Sequence, residues 1–113
     1  MLMLSPAVKI FVCAQSTDMR RSFDKLAEMT RSQLSQDPFS GHLFIFFNRP
    51  RDRVKILFWD RSGFCLYYKR LEEGHFRPLE NKLQISAAEL TLILEGIELA
   101  DSKQQKRFSL LPA

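Results

Sequence analysis

The chain has 113 residues and is poor in the side chains that build catalytic and metal centres. It holds two histidines, two cysteines and four glycines. Neither His42 nor His75 has a cysteine, histidine or carboxylate at ligand spacing, which argues against a zinc site. Cys13 and Cys65 are separated by fifty-one intervening residues and read as free thiols of a reducing cytoplasm. Gly41, Gly63, Gly74 and Gly96 are too scattered for a phosphate-cradling loop. No apolar run reaches membrane-spanning length, and "MLMLSPAVKIFVC" has no basic residue ahead of its apolar part, as a secretory signal requires. The acids fail to assemble as well: Asp52 and Asp60 each fall in a turn, and Asp18, Asp24 and Glu28 lie along a solvated helix side. The expectation is a protein without catalytic residues, metal or cofactor.

What the chain does have is aromatic and basic. Ten phenylalanines within a 45% hydrophobic composition point to a sheet-rich core. The net charge of +4 is unevenly placed. Residues 49–82 hold nine basic and five acidic side chains, so the whole excess lies in the middle third. A polyanion footprint needs such clustering, although solvated strand ends can look the same.

"VKIFVCA" (8–14) alternates like a half-buried strand. "QSTD" supplies Ser16 or Thr17 as an N-cap for a helix from about Asp18 to Leu34, with a stripe of Met19, Phe23, Leu26, Met29 or Thr30, and Leu34. Pro38 and Gly41 end it. "HLFIFFN" (42–48) is apolar on both faces, as a central strand covered on both sides should be. "KLQI" (82–85) is a possible further strand. Ser86 and Glu89 form a capping box ahead of a helix with Leu90, Ile93, Leu94 and Ile97 on one face. The reading is a single α+β domain over residues 1–100. It has a mostly antiparallel sheet of four to five strands with a meander core, and two helices covering one face. Residues 101–113 form a polar, mobile tail.

The central ribbon is "RVKILFWDRSGFCLYYKR" (53–70). "DRSG" suits a hairpin with a three-residue loop and a left-handed Gly63. In that register Trp59 faces Cys65, Leu57 faces Tyr67, and Lys55 faces Lys69. One ribbon face is then Val54, Ile56, Phe58, Leu66 and Tyr68, read as core. The other carries Arg53, Lys55, Leu57, Trp59, Cys65, Tyr67 and Lys69. Opposed lysines are destabilising on their own, which favours an anion lying between them.

Four blocks in order, "DMRRSFDKLA" (18–27), "DPFSGHLFIFFNR" (37–49), "DRVKILFWDRSGFCLYYKRLEEGHF" (52–76) and "ELTLILEGIEL" (89–99), resemble the TnpB accessory proteins of the insertion-sequence 66 group of bacterial transposons. Members usually carry a glycine where this chain has Ser22 and Arg61, and a glycine-containing turn where it has "RPRD". The resemblance implies a cytoplasmic bacterial protein, with no membrane partner, that assists transposition beside a separate, element-encoded transposase. No catalytic residue comes with it. Two roles are open. In the first, Arg49, Arg51, Arg53, Lys55, Lys69 and Arg70 meet phosphates of the element-end DNA while Trp59 and Tyr67 stack on bases or sugars, with Arg77 extending the track. In the second, exposed aromatics and arginines anchor the transposase or another accessory protein with no direct DNA contact.

Overall fold

The computed structural model describes residues 5–77 and 82–95. Its elements are β1 (Ile10–Val12), α1 (Phe23–Leu34), β2 (Leu43–Phe47), β3 (Arg53–Asp60), β4 (Gly63–Arg70), β5 (Gln84–Ile85) and α2 (Ala87–Leu94). The five strands form one sheet in the order β4-β3-β2-β1-β5. β1 runs parallel to β2, with α1 as the connection between them, and every other pairing is antiparallel. The α+β reading and the β2–β3–β4 meander stand, and the weak "KLQI" signal is the edge strand β5.

The helices do not share a face of the sheet, contrary to expectation. Leu90, Ile93 and Leu94 of α2 pack with Ile10, Val12, Ile45, Phe47, Val54 and Ile56. Leu26, Ala27 and Met29 of α1 pack with Cys13, Phe44, Phe46 and Leu57. One helix on each side explains why all five residues of β2 are buried. A strand covered on both faces has no solvent side to mark with a polar residue. Burial also pushes the Cys13 thiol pKa up, as expected of an inert core cysteine.

α1 begins at Phe23, five residues later than the sequence suggests. Asp18 organises a turn instead: its carboxylate accepts the Arg20 N–H at 2.9 Å and its carbonyl accepts the Arg21 N–H at 3.0 Å. The Lys55 ammonium then donates to the carbonyls of Met19 and Arg21, at 2.6 and 2.8 Å. A helix running through this segment would need those carbonyls for its own i to i−4 bonds. Phe23, placed on the apolar stripe, is 42% exposed as a result. The capping box of α2 is present as read, with Ser86 Oγ accepting from the Glu89 N–H and the Glu89 carboxylate accepting from the Ser86 N–H. That backbone N–H and the Lys82 ammonium hold the Glu89 pKa below its usual range. Ile97 and the tail at 101–113 lie outside the described residues.

The β3–β4 register differs from the reading by one residue. Asp60 pairs with Gly63 around a two-residue loop, so Lys55 stands opposite Tyr68, Val54 opposite Lys69, and Arg53 opposite Arg70. Arg61 adopts the left-handed backbone, with φ of 51°, that the "DRSG" pattern predicts for Gly63. A loop shorter by one residue turns every β4 side chain to the other face. Leu66 and Tyr68 therefore share a face with Lys55 and Trp59, while Cys65, Tyr67 and Lys69 point toward α2.

Candidate functional site

The register divides the expected basic-aromatic face between two sides of the sheet. On the α1 side, β3 carries Arg53, Lys55 and Trp59, while β4 brings Tyr68 and Arg70 opposite them. Tyr67 packs against the core on the α2 side, and Lys69 donates its ammonium to the Leu94 carbonyl at the last turn of α2. A cation is favourable there because the final carbonyls of a helix lack intrahelical partners.

Lys55 is equally committed. It is 6% exposed, its ammonium bonds two carbonyls, and it sits 4.7 Å from the centre of the Tyr68 ring. This lysine fastens the segment ahead of α1 to the sheet. The expected clamp of Lys55 against Lys69 is not present. Opposed cations do occur one step along the ribbon, at Arg53 and Arg70.

The arginines occupy the β2–β3 turn and the neighbouring strand ends. Asn48, which the sequence reading passed over, builds that turn. Its side-chain oxygen accepts the N–H groups of Asp52 and Arg53 at 3.0 Å each, and its amide nitrogen donates to the Asp52 carboxylate at 2.7 Å. An asparagine just before "RP" is the available signal, since short amides commonly bond backbone groups a few residues on. Arg51 takes a left-handed φ of 61° and lies 5.8 Å from the Phe47 ring, which belongs to the α2-side core. Its carbonyl accepts the Phe76 N–H at 2.6 Å.

Arg49 and Arg53 turn the other way and line a cleft of about 370 Å³ with Ser16, Thr17, Asp18, Met19 and Asn48. The loop after β1 reaches this place because the Thr17 N–H donates to the Phe47 carbonyl at 2.8 Å. Among the described residues, no carboxylate forms an ion pair with Arg49 or Arg53. Arg53 donates to the Tyr68 hydroxyl at 3.3 Å. Arg70 pairs with Glu72 at 3.0 Å, both of them well exposed. Asp18 is held by Arg20 at 2.7 Å, and that guanidinium lowers its pKa to about 2.

Trp59 lies six residues along β3 from Arg53, about 20 Å away at ordinary strand rise. It packs edge-on against Phe39 and Phe64 at 5.0 and 5.1 Å, with Phe39 itself 47% exposed. The aromatic cluster and the arginine cluster therefore mark opposite ends of the ribbon. Among the described residues no group of three or more acids, histidines and cysteines is placed to hold a metal ion, and no helix is long and apolar enough to cross a membrane.

Comparison with known proteins supplies the class. The family model described as IS66 Orf2 like protein matches residues 8–104, and the chain belongs to that family. Two uncharacterized proteins of Sinorhizobium fredii are similar over most of their length. One, y4jC, is 33% identical over 104 residues, covering 89% of each chain. The other, y4hO, is 34% identical over 94 residues, covering 80% of this chain and 82% of its own. No solved structure matches. Membership makes this a transposition-associated accessory protein, in a family that is not a known enzyme class.

Proposed function

We propose that the protein assists a separate transposase, without catalysis of its own, by holding DNA through its phosphate backbone. The contact surface is Arg49, Arg53 and Arg70 on the α1 side of the sheet, with Arg51 at its margin. One observation carries the reading: Arg53 stands directly opposite Arg70 beside a cleft that also presents Arg49. Like charges opposed across strands are unfavourable unless an anion answers them, and Glu72 answers Arg70 alone, leaving Arg53 at the cleft with no carboxylate partner among the described residues. Backbone contacts of this kind position a protein on DNA without reading its sequence. Lys55, Lys69 and Tyr67 drop out of the contact set, because their side chains serve the fold. Trp59 belongs to the far end of the ribbon.

Fluorescence anisotropy on duplex DNA across a salt series tests this. Replacing Arg49 and Arg53 together by Gln should make the logarithmic salt slope shallower by about 2, with the thermal melt unchanged. If affinity and slope stay as they were, the surface is only a solvated edge. The adaptor role then takes over, and one feature favours it: Phe39, Trp59 and Phe64 form a partly exposed aromatic cluster. An aromatic-anchored partner would bind with little dependence on salt.

A further inference from the structure

We propose that the cleft between residues 16–19 and the Asn48–Arg53 turn is a formed seat for one phosphate group. It is thus more specific than a stretch of diffuse positive surface. The inference rests on the proposed phosphate-facing role of this side of the protein and assigns it a particular place.

Three observations converge on the cleft. The first is topological. β1 and β2 are adjacent and parallel, so the segments leaving their carboxyl ends open side by side, and the Thr17 N–H to Phe47 carbonyl bond holds them together. Crevices at the carboxyl ends of parallel strands are where ligands of α/β sheets commonly bind. The second is charge on a fixed frame. Arg49 and Arg53 reach the cleft from a turn whose backbone is held by both ends of the Asn48 amide. A guanidinium on a rigid turn loses less freedom when it grips an oxyanion than one on a loose loop.

The third is a hydroxyl without a partner. Thr17 lines the cleft, is only 4% exposed, and its Oγ1 is a buried side-chain polar atom with no hydrogen bond among the described residues. A buried donor left in that state is unfavourable, and a turn of the Thr17 χ1 toward the cleft would let a phosphate oxygen relieve it. The carboxylate that borders the cleft, Asp18, is already gripped by Arg20 through both oxygens. Its charge is therefore offset before any anion arrives.

The whole protein can be titrated with inorganic phosphate, and separately with a thymidine dinucleotide carrying one phosphodiester, while backbone amide shifts are followed by NMR at constant ionic strength. The seat predicts saturable shifts concentrated in residues 16–19 and 48–53. Thr17→Val, which keeps the branched shape, should weaken phosphate binding roughly tenfold, as for one hydrogen bond to a charged group, and Thr17→Ser should restore it. Response to both probes identifies a nucleic-acid phosphodiester as the occupant. Response to inorganic phosphate alone keeps the seat and assigns it a free phosphate. Shifts that never saturate, that spread over all the exposed arginines, or that ignore Thr17→Val overturn the proposal. The two readings fail separately. A salt slope that falls in the arginine variant without a localised phosphate response leaves DNA binding standing and removes the seat. A localised response with no DNA binding does the reverse.

Discussion

The two faces of the β3–β4 ribbon each contain one lysine held by backbone carbonyls, yet they end differently. On the α2 side, Lys69 closes the last turn of α2 over a continuous apolar core. On the α1 side, Lys55 fastens the segment before α1, and beyond it the surface continues into Arg53, Arg70 and the 48%-exposed Tyr68. The lysines are drawn inward because a compact ammonium on a flexible stem can bury its methylenes and still find carbonyls. The arginines stay outside, where a planar fork can answer a planar or tetrahedral anion. Residues of the same charge thus divide into fasteners and surface groups according to what the backbone leaves unpaired nearby.

The strongest test of that division is Lys55→Met, which keeps the buried stem and removes the ammonium. Two carbonyls lose a charged donor, so urea unfolding should show a loss of about 2–3 kcal/mol. A change below about 0.5 kcal/mol would put Lys55 back among the surface cations. Lys69→Met should cost less, about 1 kcal/mol, since only one carbonyl at a helix end is affected. Amide exchange in α2 would report the loss locally, and an undisturbed helix would break the symmetry drawn between the two lysines. The smallest effect belongs to the exposed Asp18–Arg20 pair. The folded pKa of Asp18, about 2, lies below the usual 3.8. Its contribution is therefore complete above the higher value and disappears as pH falls through the lower one. Solvent and salt screen so exposed a pair, so the effect is slight. Comparing thermal midpoints of the wild type and Asp18→Asn should show a small gap near pH 6 that closes by about pH 2. A gap that persists in acid would tie Asp18 to the fold by something other than its charge.

Much of this was legible along the chain. Uninterrupted apolarity in "HLFIFFN" announced a strand covered on both faces, and "SAAE" announced the start of α2. The ribbon's two strands were legible too, and so was the crowding of arginines at "NRPRDR". The register was not, because it depends on which residue accepts the left-handed backbone. "DRSG" offers a glycine for that position, but Arg61 takes it instead. The late start of α1 was hidden for a related reason: the competitor for its carbonyls, Lys55, lies 34 residues beyond Arg21.

Local pattern, then, determined what the elements are, which of them is central, and that the positive charge gathers around the ribbon. Periodicity, capping and composition act within a few residues, so a single sequence can display them. Tertiary structure alone decided which of the described cations fasten the fold and which stay at the surface. That choice turns on a one-residue shift between two strands and on carbonyls brought from distant segments to Lys55 and Lys69. It also placed Thr17 beside Arg49 and Arg53, because parallel pairing of β1 with β2 lays together two loops that are some thirty residues apart in the chain.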